Sequence, residues 1–311
     1  MTKIKIITLT FNPCIDKSTS VQSLMPEKKL YCAVPTLEPG GGGINVARAI
    51  KKLGGKATAI FPSGGCTGTV FTALLEKENI DINAIATTEE TRESVIVVEE
   101  STNNQYRFGM PSNGLLDSEW QQCLKAVEGI KDAKYIVASG SLPLNVPLNI
   151  YAQLAKIAKK NKAKLIVDVS GEALNEAVEE GVYLLKPNLG ELSALAGKKE
   201  LQPHEIKDIA WGIIAKGHCE VMVVSMGAAG AMLITKDIVK TIKPPSVIRK
   251  STVGAGDSMV AGIVLSLSQG KSLIEATQYG VACGTAATMN AGTELCRKAD
   301  ADKLFKLVTV D

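Results

Sequence analysis

The sequence predicts an α/β fold: three layers, with a mostly parallel central sheet between helices and a small β-sheet lid. Three observations carry this reading. From about residue 130 onward, short continuous apolar runs alternate with amphipathic stretches, the pattern of doubly covered parallel strands and their helices. Polar and glycine residues collect just after those runs, where open α/β sheets bind their ligands. Two segments, about 14–36 and 91–110, break the rhythm and read as strands of a separate small sheet.

In chain order, Met1-Thr2-Lys3-Ile4-Lys5-Ile6-Ile7-Thr8 reads as a strand and not as a secretory signal. The first irregular segment follows it. In the second, Val95-Ile96-Val97-Val98 and Gln105-Tyr106-Arg107-Phe108 flank a turn at Thr102-Asn103-Asn104, giving a hairpin. Both segments are expected to form a small antiparallel sheet that covers a site or pairs with another subunit. Tyr135-Ile136-Val137-Ala138 is a strand closed by Ser139-Gly140-Ser141-Leu142-Pro143, and Ile150, Leu154, Ile157 and Ala158 then follow at helical spacing. Lys164-Leu165-Ile166-Val167-Asp168, Tyr183-Leu184-Leu185-Lys186 and Val221-Met222-Val223-Val224-Ser225 repeat the strand pattern. No repeat or long linker interrupts the chain, so a single domain over residues 1–311 is expected.

Composition narrows the function classes. A net charge of +3 without a lysine or arginine run gives no support for nucleic-acid or membrane-surface binding. No apolar stretch approaches the ~20 residues a bilayer span needs. The seven cysteines contain no Cys-x-x-Cys pair and only two histidines accompany them, which disfavours a zinc site or disulfide framework. Reduced, mostly buried thiols and a cytoplasmic location are expected.

Two glycine stretches carry the chemistry. Gly254-Ala255-Gly256-Asp257 is a short turn running into an apolar helical pattern, with one carboxylate at the junction. Backbone N–H groups and the positive end of the helix suit a phosphate or a phosphoryl group in transfer. Asp257 is then placed to take a proton from an attacking hydroxyl, or it serves as a plain helix cap. Gly40-Gly41-Gly42-Gly43-Ile44-Asn45 lets a ligand approach the backbone, with Asn45 able to donate to and accept from sugar hydroxyls. Neither stretch is a P-loop, and neither matches Gly-x-Gly-x-x-Gly, so a Walker-type NTPase and a dinucleotide oxidoreductase both lose support.

Gly41-Gly42-x-x-Asn45-x-Ala47, Lys186-Pro187-Asn188-x-x-Glu191 and Gly254-Ala255-Gly256-Asp257, in this order, resemble the ribokinase-like sugar kinases, the phosphofructokinase B family. Thr8-Leu9-Thr10-x-Asn12-Pro13-x-x-Asp16 is similar to the branch acting on phosphorylated ketohexoses. In fructose-1-phosphate and tagatose-6-phosphate kinases the first loop typically reads Gly-Lys-Gly; here it is Gly41-Gly42-Gly43, as in the fructose 6-phosphate branch. Pro26-Glu27-Lys28-Lys29-Leu30 and Ser225-Met226-Gly227-Ala228-Ala229-Gly230-Ala231 are similar to that branch too.

The resemblance implies ATP-dependent phosphorylation of fructose 6-phosphate at its 1-hydroxyl. The alternatives are a tagatose-6-phosphate or fructose-1-phosphate kinase and, from another class, a non-catalytic sugar-phosphate sensor. It implies Asp257 as catalytic base beside an anion hole from Gly254, Ala255 and Gly256. Asp16, Gly41, Gly42, Asn45 and Ser141 would hold the sugar, Arg92 its phosphate, and Lys29 would reach over both substrates. Lys186, Asn188, Ser225, Gly227 and Gly230 would line the nucleotide site, and Glu191 would organise Mg²⁺. A monovalent-cation loop, for K⁺, is implied at Ser251, Val253, Ala287, Asn290 and Gly292, and a homodimer through the β lid is expected. The chain departs from the family at Ser251, where ribokinase itself has Asp. It departs from nearer relatives at Tyr31 and Glu294, where arginines are expected.

Overall fold

A computed structural model describes residues 5–311; Met1–Ile4 of the first expected strand lie outside the described residues. The chain opens with strands β1 (Lys5–Leu9), β2 (Cys14–Val21) and β3 (Thr36–Gly40), then helix α1 (Gly42–Lys52). Next come β4 (Thr58–Gly64), α2 (Gly65–Lys77), β5 (Asp81–Thr87), β6 (Arg92–Glu99), β7 (Asn104–Gly109) and α3 (Asp117–Gly129). The alternating half follows as β8 (Ala133–Ser139), α4 (Ile150–Lys160), β9 (Lys164–Asp168), α5 (Glu172–Glu180), β10 (Val182–Leu185), α6 (Leu189–Leu195), α7 (Ile206–Ala215) and β11 (Cys219–Ser225). The chain closes with β12 (Ala231–Ile234), β13 (Val239–Lys243), α8 (Ala255–Ser268), α9 (Leu273–Thr288), α10 (Lys298–Phe305) and β14 (Thr309–Val310).

The large sheet has the order β14-β13-β12-β11-β10-β9-β8-β1-β4-β5. From β11 to β5 every neighbouring pair is parallel, and β12, β13 and β14 add an antiparallel edge. Side-chain alternation explains the continuous apolar runs. On β8, Tyr135 and Val137 enter one core while Ile136 and Ala138 enter the other; on β11, Val221 and Val223 oppose Met222 and Val224 in the same way. One core lies under α1, α2, α8, α9 and α10, with Ile44, Phe71, Val260 and Ile263 at its centre. The other lies under α3 to α7, with Trp120, Tyr151, Leu154 and Ile206. The ribokinase-like three-layer α/β fold expected from the motifs is the fold observed.

Strand order reverses at β1 and β8. The chain leaves β1 towards β4 and β5, then returns on the other side through β8. Such a switch point opens a crevice at the carboxyl ends of the strands. Here those ends run into Asn12 and into Gly140-Ser141.

The small sheet has the order β3-β2-β6-β7. It corrects the expected purely antiparallel lid, because its central pair, β2 and β6, is parallel. The reason lies in the connections: β2 follows β1 and β6 follows β5, so both leave the parallel sheet in the same direction. The hairpin is as expected, with Val97 opposite Tyr106 and Val95 opposite Phe108. β3 carries the first lid segment on to Gly40, beyond the boundary near residue 36. Among the described residues no helix is long and apolar enough to cross a membrane, and five of the seven cysteines are buried.

Candidate active site

Two cavities meet at the turn 252–257. One, of about 410 Å³, lies between the lid and the switch point, and its walls include Asp16, Gly41, Gly42, Asn45, Arg92, Ser141, Gly254 and Asp257. The other, of about 610 Å³, is walled by Asn188, Ser225, Gly227, Gly230, Ala255 and Gly256. Thr252 belongs to both. The structure therefore brings the residues of the first and last glycine stretches together, 212 positions apart in sequence, through the Asn45 Nδ2–Asp257 Oδ2 hydrogen bond of 3.0 Å.

Local sequence builds the junction. Gly254 caps α8 at φ 72°, a left-handed conformation in which a Cβ would meet Leu295. The first turn of α8 separates the cavities, with Gly254 in the wall of one and Ala255 and Gly256 in the wall of the other, and the Ala255 N–H donates to the Thr252 carbonyl at 3.4 Å. Asp257 is in that first turn. A helix dipole favours a carboxylate there by about 0.3–1 kcal/mol, less than one pKa unit. Burial wins: it pushes the Asp257 carboxyl up to about 7, helped by nearby Asp168 and opposed by Asn45 and Lys186. A group that exchanges its proton near neutrality can act as a base, which a plain cap does not need.

On the other side of the junction, Gly42 sits against the end of β8, where a Cβ would collide with the Ser139 hydroxyl and the Gly140 N–H. That contact seats the start of α1, and with it Asn45, over the switch point. Asp16 faces the same cavity from β2; burial raises its pKa, against the pull of Cys14, Arg107 and Arg92.

Arg92 is more occupied than its sequence position implies. Its Nε donates to Asn12 Oδ1 at 2.8 Å, Nη1 to Ser94 Oγ at 3.1 Å and the Met110 carbonyl at 3.3 Å, and Nη2 to the Asn12 carbonyl at 3.4 Å. Asn12 in turn donates to Ser141 Oγ at 3.1 Å. Arg107, on β7, reaches the same cavity and was missed by the sequence reading. Its signal was the alternation of Gln105-Tyr106-Arg107-Phe108, which puts Arg107 on one face.

Lys186 lies behind the wall of the nucleotide-side cavity: it is 5% exposed and its Nζ pairs with Asp168 Oδ1 at 3.0 Å. Burial works against its charge, yet Asp168 holds its pKa above the ordinary value. A Cβ at Gly256 would lie 3.7 Å from its Nζ, so the ammonium stands beside the α8 N-terminus. Asp168 is a second missed residue, although a carboxylate ending a parallel strand was its signal.

Asn188 and Glu191 form a reciprocal cap of α6: Asn188 Oδ1 accepts from the Glu191 N–H at 2.9 Å, and Glu191 Oε2 from the Asn188 N–H at 2.8 Å. Glu191 still faces the Lys186–Asp168 pair; burial raises its pKa, against the cap donor Asn188 and the Lys186 ammonium, with a smaller push upward from Asp168. Among the described residues no cluster of three or more His, Cys, Asp or Glu could hold a metal by itself.

Ser251, Val253, Asn290 and Gly292 come together beside the junction. Ser251 Oγ donates to the Gly292 carbonyl at 2.7 Å and accepts from the Val253 N–H at 3.2 Å. The Ala287 carbonyl accepts from the Asn290 N–H at 3.1 Å. Glu294 turns away to pair with Arg297 at 2.7 Å. Lys29 is not brought to the site: it is exposed in the 22–35 loop, its Nζ over the Tyr31 ring. Lys29 is in the wall of neither cavity.

With this geometry in hand, comparison with known proteins is decisive. The model of the pfkB family carbohydrate kinases matches residues 1–300, and the chain belongs to this family. Over 303 residues it is 44% identical to the ATP-dependent 6-phosphofructokinase isozyme 2 of Escherichia coli K12, covering 97% of this chain and 98% of that protein. Its fold matches a crystal structure of Escherichia coli phosphofructokinase-2 in complex with potassium, with a TM-score of 0.95, 43% identity and coverage of 98% and 99%. A structure of the same Escherichia coli enzyme in complex with fructose-6-phosphate gives a TM-score of 0.93 at 42% identity, with the same coverage.

Proposed function

We propose that this carbohydrate kinase transfers the γ-phosphoryl group of ATP to the 1-hydroxyl of fructose 6-phosphate, giving fructose 1,6-bisphosphate. One observation supports the reading above the others: two cavities of substrate size share a wall made of a helix N-terminus and a carboxylate titrating near neutrality. The sugar phosphate occupies the lid-side cavity, with Asp16, Asn45, Ser141 and the Gly41-Gly42 backbone meeting its hydroxyls. Arg92 and Arg107 face its phosphate. The nucleotide occupies the second cavity, against Asn188, Ser225, Gly227 and Gly230.

Asp257 takes the hydroxyl proton as the oxygen attacks the γ-phosphorus. The N–H groups at Gly254, Ala255 and Gly256, with the Lys186 ammonium beside them, face the equatorial oxygens, where charge builds in transfer. Mg²⁺ needs few protein ligands, and Asp168 and Glu191 fit it: two carboxylates in one partly buried place, whose mutual repulsion a hard cation relieves. Held there, it would bind nucleotide phosphates and neutralise their charge. The carbonyl-rich loop around Ser251, Val253, Ala287, Asn290 and Gly292 suits a monovalent cation such as K⁺, which would steady the α8 turn electrostatically. The enzyme works in the cytoplasm as a homodimer paired through the lid.

Initial rates with Mg-ATP across fructose 6-phosphate, tagatose 6-phosphate, fructose 1-phosphate and fructose test this. Fructose 6-phosphate should give the highest kcat/KM. Preference for fructose 1-phosphate would move the chain to the other branch, and binding without turnover would mean a sensor.

A further inference from the structure

We infer that Cys14 is a positioning residue: its thiol donates to the Asp16 carboxylate and orients it toward the sugar. The inference rests on the reading of the lid-side cavity as the sugar-phosphate site.

The register of the lid sheet sets the arrangement. β2 and β6 pair in parallel with Cys14 opposite Arg92 and Asp16 opposite Ser94. With a strand period of two, these four side chains share one face of the sheet, and all four line the cavity that contains Asp257. Arg92 Nη1 donates to Ser94 Oγ at 3.1 Å, and the Cys14 thiol donates to Asp16 Oδ1 at 3.3 Å. A carboxylate oxygen accepts, so the thiol is the donor in this bond.

The thiol keeps its proton for this work. Burial, and the Asp16 carboxylate beside it, push Cys14 up to about 12, so it remains a donor throughout the working pH range. Across the sheet, Gly40 is the residue opposite Cys14. A Cβ there would run into Asp16 Oδ2 and stand 3.1 Å from the Cys14 sulfur. Bare backbone on one side and the thiol on the other therefore hold the carboxylate in place. A sugar hydroxyl on Asp16 then meets a carboxylate whose orientation the thiol has set.

Cys14→Ala removes the donor and Cys14→Ser keeps a donor and an acceptor. The expected result for Cys14→Ala is a KM for fructose 6-phosphate raised about three- to tenfold, the scale of one lost hydrogen bond, with kcat within about twofold and the KM for ATP unchanged. Cys14→Ser should return the KM to within about twofold of the unaltered enzyme. Should Cys14→Ala fail to fold, Cys14→Val, which fills the space without a donor, should raise the same KM. An unchanged KM in Cys14→Ala or Cys14→Val, or equal impairment in Cys14→Ser, would show that the thiol only fills space. Absence of turnover with fructose 6-phosphate in the unaltered enzyme would sink the reading of the cavity and this inference with it.

Discussion

Replacing Asp257 by asparagine should make a worse enzyme and a more stable protein, and the gain should depend on pH. The carboxyl titrates at about 7 in place, against an ordinary 3.8. That gap spans about three pH units at about 1.4 kcal/mol each, or about 4 kcal/mol. The sign follows from proton binding. Between pH 3.8 and about 7 the folded state holds the proton more tightly than the unfolded chain, so stability falls as pH rises through this window and stays low above it. An amide carries no such burden and still offers an oxygen to Asn45. The Asp257→Asn gain should therefore be about 2 kcal/mol at pH 5 and about 4 kcal/mol at pH 8, read from urea unfolding midpoints. Turnover at pH 8 should drop by at least ~100-fold, the scale of a lost general base. The reasoning fails if the variant is no more stable than its parent at pH 8, or if its gain is the same at both pH values. Near-normal turnover would end the base assignment.

Arg92→Ala and Arg107→Ala should each raise the KM for fructose 6-phosphate about ten- to hundredfold and leave that for ATP nearly unchanged. Only Arg92→Ala should also lower the melting temperature, because only Arg92 ties Asn12, Ser94 and Met110 together; equal losses toward fructose and its phosphate would remove the phosphate role. Lys186→Met strips Asp168 of its partner and Asp257 of a nearby cation. It should cost about 3–5 kcal/mol of stability and move the acid limb of kcat/KM above its position near pH 7; a limb that stays in place would contradict the electrostatic link. Tyr106, Phe108 and Met110 are each more than a third exposed on the lid, so Phe108→Glu should turn a dimer into a monomer. Light scattering that finds an active monomer before any substitution would rule the lid contact out.

The parts of the fold legible in the sequence are those where one physical demand dominates. Strands β8 to β11 are buried on both faces, so their apolar runs show without ambiguity. Helix α2 begins Gly65-Cys66-Thr67-Gly68, which carries little helical signal, and it forms because Phe71 and Leu75 bury fully in the core. β5 lies at the sheet edge with no fully buried residue, and the short β12 to β14 edge is set by tertiary pairing. The parallel β2–β6 pair was hidden for another reason: 70 residues separate Val21 from Arg92, and sequence pattern carries no register across such a gap.

The site divides along the same line. Residues on glycine turns were visible because the backbone requirement is local: Gly254 must be left-handed, and Asp257 must follow it. Residues whose role is decided by a neighbour were not. The sequence does not show that Asn12 and Ser94 take up the N–H groups of Arg92, or that Asp168 holds Lys186 beside the start of α8. Asn188 and Glu191 show that the structural and chemical readings of a motif need not compete. Three-residue spacing is what a reciprocal helix cap requires, and the same cap holds the Glu191 carboxylate near Asp168. A carboxylate spent on a cap at an exposed helix end has its pKa lowered by the donors it accepts from, as Glu275 does at the start of α9. Glu191 makes the same cap, yet its pKa is raised. The difference is burial, which at Glu191 outweighs the cap's donors and the pull of the Lys186 ammonium, whereas the Glu275 cap stands in solvent.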